Sequence, residues 1–278
     1  MNMSSPHTRS IGQGPTVVLL HSSGSSGRQW DPLMQALQSR YRVHAIDLHG
    51  HGSTAAWNSE HRMKLADEAG LVEPLLRDAA SAHLIGHSYG GALALKLAAM
   101  HPSRVASIAV FEPVMFRLLI DYSAGALAAE QVMIAARSIT SWNDAGQPDR
   151  AAQHFVDFWS GQGAWAQMPD AHQRVIAARI PSIIGHFHAL FTDDYSRCEL
   201  TRLAVPVLCL TGTQTTAATR RIGELLRCWM PEATHEFMSG MGHMGPITHA
   251  ARVTERIVKF LNDRAESAND CEPLRQAA

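Results

Sequence analysis

Cysteine is scarce in this 278-residue chain: Cys198, Cys209, Cys228 and Cys271 are the four, and no two of them stand in C-x-x-C spacing. Disulfide frameworks and thiolate metal sites leave paired spacings in a sequence, so reduced, mostly buried thiols in a cytoplasmic protein are the plain expectation. A surplus of one charge is also missing. With 24 basic side chains against 25 acidic ones, there is no field to grip nucleic-acid phosphates or an anionic membrane. Long apolar runs are absent too. Met1 to Pro15 is polar, without an apolar core of signal-peptide type, and runs such as Val17 to Leu20 are strand-sized rather than membrane-sized. No internal repeat or low-complexity tract is present. These absences leave a small molecule as the expected partner, with no nucleic acid and no membrane; a homodimer stays open.

What is there is alternation. Thr16 to His21, Arg42 to Asp47, Ala82 to Gly86, Val105 to Phe111, Val205 to Thr211 and Thr234 to Met238 read as strands. Several are apolar nearly throughout, as strands buried on both faces of a parallel sheet are. Helical patterns lie between them: Trp30 to Arg40, Leu65 to Ala79, Gly91 to Met100, Ala217 to Met230 and Thr248 to Asn262. Pro74 is expected to kink or shorten the second of these. The order predicts an α/β fold with a doubly wound, mostly parallel sheet and function at the carboxyl ends of its strands. One stretch, 114–203, is helical without a strand and reads as an inserted cap. The core is then 1–113 with 204–264, and 265–278 is expected to be a flexible tail.

Three motifs carry chemistry. Gly86-His87-Ser88-Tyr89-Gly90-Gly91 joins a strand to a helix in the G-x-S-x-G form of a nucleophile elbow, where only glycine tolerates the crowding on either side of the serine. Ser88 is thus a candidate nucleophile. His21-Ser22-Ser23-Gly24 ends the first of these strands, and its small residues let backbone N–H groups come close to a ligand. The backbone N–H groups of Ser23 and Tyr89 are the candidate oxyanion donors; the plain alternative is a Gly/Ser loop with no catalytic role. Met241-Gly242-His243-Met244-Gly245-Pro246 follows the last strand, and flanking glycines give His243 the reach of a general base.

Taken with the Asp47-Leu48-His49-Gly50-His51-Gly52-Ser53 turn, these motifs resemble the α/β-hydrolase superfamily over nearly the whole chain. The resemblance implies the α/β-hydrolase fold with an inserted helical cap, no cofactor and no metal. It makes the DLHGHGS turn structural, so His49 and His51 are not expected to bind metal; His186 and His188 are not expected to either, since no carboxylate or cysteine partner is evident beside them. Two positions depart from the family pattern. Ser22 stands where a glycine is frequent. Thr215 stands where the acidic member usually follows the penultimate strand. Some members carry the acid one strand earlier, which here points to Glu112 as the partner of His243. The alternative for Glu112 is a turn cap into the inserted segment; Asp193 and Asp194 are weaker candidates.

The resulting expectation is a serine hydrolase cleaving an ester-type bond in a small, largely apolar substrate through an acyl-enzyme on Ser88. Most of the insertion's large apolar residues, from Phe116 to Phe191, are expected to pack the cap helices, and a subset facing the strand ends to line an apolar pocket. A C–C bond hydrolase of the same fold and a ligand-binding member with a decayed triad are the alternatives. An epoxide hydrolase or a haloalkane dehalogenase is disfavoured, because either needs aspartate where Ser88 stands.

Overall fold

The computed structural model describes residues 5–193 and 197–271, with side chains described to 264. Seven strands form one sheet: β1 (Thr8–Ile11), β2 (Thr16–Leu20), β3 (Arg42–Ile46), β4 (Ala82–His87), β5 (Val105–Phe111), β6 (Val207–Gly212) and β7 (Thr234–Met238). Their spatial order is β1-β3-β2-β4-β5-β6-β7. Only β1 runs antiparallel, with Thr8 opposite Ile46 and Ile11 opposite Val43. Its sequence, TRSI, is too short and polar to announce a strand; pairing on the sheet edge makes it one.

Helices α1 (Asp31–Leu37), α2 (Leu65–Asp78) and α3 (Tyr89–Met100) connect the first strands. Five helices follow β5: α4 (Phe116–Asp121), α5 (Ala126–Asp144), α6 (Pro148–Ser160), α7 (Asp170–Thr192) and α8 (Arg197–Thr201). Then come α9 (Ala217–Trp229), α10 (Gly245–Thr248) and α11 (Ala250–Cys271).

Alternation along β2 shows how the layers arise. Val18 and Leu20 join a core with α2, α3 and the helices after β5, whereas Val17 and Leu19 join another with α1 and α11. A strand apolar on both faces can be satisfied only between two such layers.

Four expectations need correction. The helix read as Trp30 to Arg40 is a 3-10 turn, Gly27–Trp30, followed by the shorter α1. α2 passes through Pro74 to Asp78, because the proline sits on its exposed side, where water can take the freed carbonyl. The final helix is split by His249 into α10 and α11, and α11 continues to Cys271, so the stretch after 264 begins as helix rather than as a frayed tail. Of the thiols, Cys209 is buried but Cys198 and Cys228 are exposed. Burial pushes the Cys209 thiol up to about 12. By length and composition α7 could cross a membrane; here Ile180 and Ile183 lie in the core.

Candidate active site

The ends of β4 and β5 and the loop after β7 bring three sequence-distant side chains together. Backbone hydrogen bonds keep those ends in register: Ser88 N–H donates to the Phe111 carbonyl and Glu112 N–H to that of Leu210. At the step from β4 into α3 the chain turns through Ser88 with φ 56° and ψ −116°. Glu112 has φ 45°, and these two are the non-glycine residues with positive φ among the described ones. Such backbone costs about 1–3 kcal/mol per residue and persists where the surroundings impose it. The glycines beside the serine are obligatory on contact grounds. A Cβ on Gly86 would lie 2.2 Å from the Gly90 carbonyl oxygen, and one on Gly90 would lie 2.3 Å from that of Leu20.

Within this frame, His243 Nε2 is 2.9 Å from Ser88 Oγ, and His243 Nδ1 is 2.7 Å from Glu112 Oε2. All three residues are buried. The Gly212 N–H donates to Glu112 Oε1 at 2.7 Å, and the Thr215 hydroxyl donates to Oε2 at 2.6 Å. Three donors thus converge on a carboxylate that has left water. Thr215 is the residue at the position where the family usually carries its acid. Here that position supplies a hydroxyl to a carboxylate arriving from the neighbouring strand.

The loop after β2 is held just as closely. Ser22 donates through both N–H and hydroxyl to Gln29 Oε1, at 3.2 and 2.9 Å. The Gln29 amide donates to His87 Nδ1 at 3.1 Å, and His87 Nε2 donates to the His243 carbonyl at 2.8 Å. Burial, and then proximity to His243, hold the His87 imidazole well below its usual pKa, so the ring is neutral and can accept on one nitrogen while donating on the other. The side chain that replaces the frequent glycine at position 22 therefore anchors a chain of bonds to the histidine loop. Gly24 N–H donates to His51 Nε2 and Ser25 N–H to the Ser22 carbonyl. Among the described residues no partner in the protein takes the Ser23 N–H.

The DLHGHGS turn supports this loop. Asp47 accepts from the N–H groups of Gly27 and Ser53 at 2.7 and 2.9 Å, and its Oδ2 is 2.8 Å from His7 Nδ1. Burial pushes its carboxyl up, but those bonds outweigh it and keep it below the usual value. Burial lowers His21 to about 4 and His51 well below its usual value.

A cavity of about 690 Å³ opens over Ser88 and His243. Ser22, Ser23 and Gln29 form its polar side, and Phe116, Phe155, Trp159 and Phe187 its apolar side. The Trp159 ring lies 4.3 Å from the His243 ring. A larger hollow, about 1090 Å³, lies around Trp57, Met133 and Phe191 and contains neither Ser88 nor His243.

Of the other candidates, Asp193 is buried against Lys96 at 3.2 Å and has no part in this cluster, and Asp194 lies outside the described residues. His188 is 3.3 Å from the Met63 carbonyl. Among the described residues no group of three His, Cys, Asp or Glu side chains is placed to hold a metal ion. Sequence reasoning missed Thr215 as a donor, the Gln29–His87 link and Trp159 on His243. Each depends on contacts between residues far apart in the chain, and no local signal marks them.

A family model described as alpha/beta hydrolase fold matches residues 15–250. A pimeloyl-acyl-carrier-protein methyl ester esterase of Aeromonas hydrophila subsp. hydrophila is 43% identical over 100 residues, which are 35% of this chain and 37% of that protein. A protein of the same description from Aliivibrio salmonicida is 24% identical over 265 residues, covering 92% of this chain and 95% of its own. Among solved structures, the enol-lactonase of Burkholderia xenovorans superposes with a TM-score of 0.72 at 22% identity, covering 92% of this chain and 96% of that one. At that identity the likeness concerns the fold.

Proposed function

Because the chain belongs to the alpha/beta hydrolase fold family, we propose that it is a serine esterase working through an acyl-enzyme on Ser88. The observation that carries this reading is the unbroken run from Ser88 Oγ through the His243 ring to Glu112 Oε2. In the proposed reaction His243 Nε2 takes the proton of Ser88 as its oxygen attacks the ester carbonyl, then delivers it to the departing alcohol. Glu112 accepts from Nδ1–H, keeping Nε2 aimed at the serine and stabilising the imidazolium. The N–H groups of Ser23 and Tyr89 are the proposed oxyanion donors, with the N-terminus of α3 adding its dipole. Water, activated by the same imidazole, releases the acid.

The helices α4–α8 act in this reading as a cap whose aromatic face binds the apolar part of the substrate. Methyl and other short-alkyl esters of medium-chain acids are the proposed substrate class. The relatives named for a methyl ester esterase support that choice.

A fluorophosphonate probe tests the reading. Ser88 is expected to be labelled at neutral pH, and the labelling to disappear in His243→Ala. Glu112→Gln is expected to lower kcat on a p-nitrophenyl ester by about ten-thousand-fold, as loss of the acid's charge does in a serine protease. A Glu112→Gln enzyme within a few-fold of wild type would remove Glu112 from the mechanism. Absence of labelling would point to a binding protein instead.

A further inference from the structure

The wall that α7 contributes to the catalytic cavity carries a positive charge with no acid beside it. His172, Val175, Ile176 and Arg179 recur at the i, i+3, i+4, i+7 spacing of one helix face, and all four line the cavity that holds Ser88 and His243. Arg28, exposed on the turn that follows the loop after β2, lines the same cavity. No aspartate or glutamate does, and among the described residues neither arginine is in an ion pair.

Arg179 is held on one side only. Its Nη1 donates to the carbonyls of Gly24 and Ser25, at 2.8 and 2.7 Å, which uses both N–H groups of that nitrogen. The other edge, Nε with Nη2, has no hydrogen-bond partner among the described residues and is not closed off from solvent. That edge presents two parallel N–H groups at the spacing of a carboxylate's oxygens. The same edge is engaged elsewhere in the molecule: Arg256 Nε and Nη2 each hold one oxygen of Glu236, both at 2.6 Å. Burial lowers the Arg179 pKa, opposed by Asp47, and the guanidinium stays charged at any working pH. Asp47 does not occupy the open edge, since its oxygens face Gly27, Ser53 and His7. A half-buried cation bonded only to carbonyls is completed by a carboxylate on its free side.

We propose that the open edge of Arg179 binds a carboxylate carried by the acid part of the substrate, so that the enzyme prefers half-esters of dicarboxylic acids. Such a molecule has an alkyl ester at one end, an apolar chain to lie along Phe116, Phe155 and Phe187, and a free carboxylate at the other end. The proposal rests on the esterase reading above and narrows its substrate class. The charge is assigned to the acid part because a methyl or short-alkyl alcohol has no place for one. Arg28 at the rim adds a second positive charge that draws the same anion toward the cavity. Arg179 is thus a specificity-determining residue, one that also braces the loop bearing the Ser23 N–H.

The test compares the monomethyl and dimethyl esters of adipic, suberic and sebacic acids at pH 7 and low ionic strength, with methanol release as the readout. Wild type is expected to show a kcat/KM about tenfold or more higher, per ester group, for the half-ester of the best-fitting length. The preference is expected to lie mainly in KM and to shrink in about 0.5 M salt. Arg179→Gln is expected to bring the two esters level, and Arg179→Lys, which keeps a charge but loses the fork, to fall between. If Arg179 only braces the loop, Arg179→Gln slows both esters alike and keeps the wild-type preference, which would overturn the proposal. So would a wild type that hydrolyses the dimethyl ester as readily at all three lengths, an outcome that needs no variant to fold. Fluorophosphonate labelling of Ser88 in wild type reports separately on the esterase reading: its absence overturns both, whereas labelling without a preference for half-esters overturns this proposal alone.

Discussion

His243 is steadied through a carboxylate that is itself held by Thr215 and Gly212, so the acid's placement depends on a residue that never touches the imidazole. Hydrogen bonds to charged groups contribute about 1.5–3 kcal/mol. Thr215→Val is therefore expected to lower kcat roughly tenfold or more, with Thr215→Ser near wild type, measured on a p-nitrophenyl ester. Thr215→Asp would place a second carboxylate where the hydroxyl now reaches Glu112 Oε2 at 2.6 Å. That variant is expected to be worse than Thr215→Val, because two adjacent carboxylates disfavour joint ionisation, and to recover when combined with Glu112→Ala. The serine and the histidine were legible from their glycine-flanked loops. Glu112 was legible only as a carboxylate at a strand end in a family that shifts its acid. The bond from Thr215 was not legible, since nothing in Gly212-Thr213-Gln214-Thr215 distinguishes a donor from a turn residue.

α6 ties the helical segment to the site. Its buried face carries Ala151, Ala152, Phe155, Val156 and Trp159, and Trp159 stacks with Phe116 at 6.2 Å as well as lying on His243. Removing a buried large aromatic costs about 3–5 kcal/mol. Trp159→Ala is expected to lose stability on that scale in urea unfolding and to raise KM for short-chain esters, as one wall of the cavity retreats. Strong apolar periodicity made the long helices readable. β1 was hidden because an edge strand needs no apolar alternation when its neighbour supplies the pairing. Pro74 misled because a proline's cost inside a helix depends on which side meets solvent, and the residue itself does not say. The apolar face of the segment was visible in sequence, but which of its rings line the cavity was not.

Across the molecule, burial leaves an unusual number of imidazoles neutral. His21, His51, His87 and His186 all lie below their usual pKa, with desolvation the largest cause in each. For a base with a depressed folded pKa, the unfolded chain binds the proton first, so stability is present above about pH 6.5 and falls as the pH drops below it. Glu68, raised to about 7, works oppositely and favours folding on the acid side. These bases outnumber the one such acid, so unfolding in mildly acidic solution takes up protons. The midpoint of thermal unfolding is accordingly expected to fall steeply from pH 7 to pH 5; a flat dependence would mean these rings are solvated. The left-handed backbone at Ser88 and Glu112 has a bearing on the same curve. Neither conformation is one that a side chain adopts willingly, so the fold is held together in spite of its reactive corner. Ser88→Gly, which relaxes one of them, is expected to melt several degrees higher while hydrolysing nothing. A search for hardier versions of this protein that scored only heat resistance would drift toward such inert forms, and each round would have to be screened for turnover to keep the corner taut.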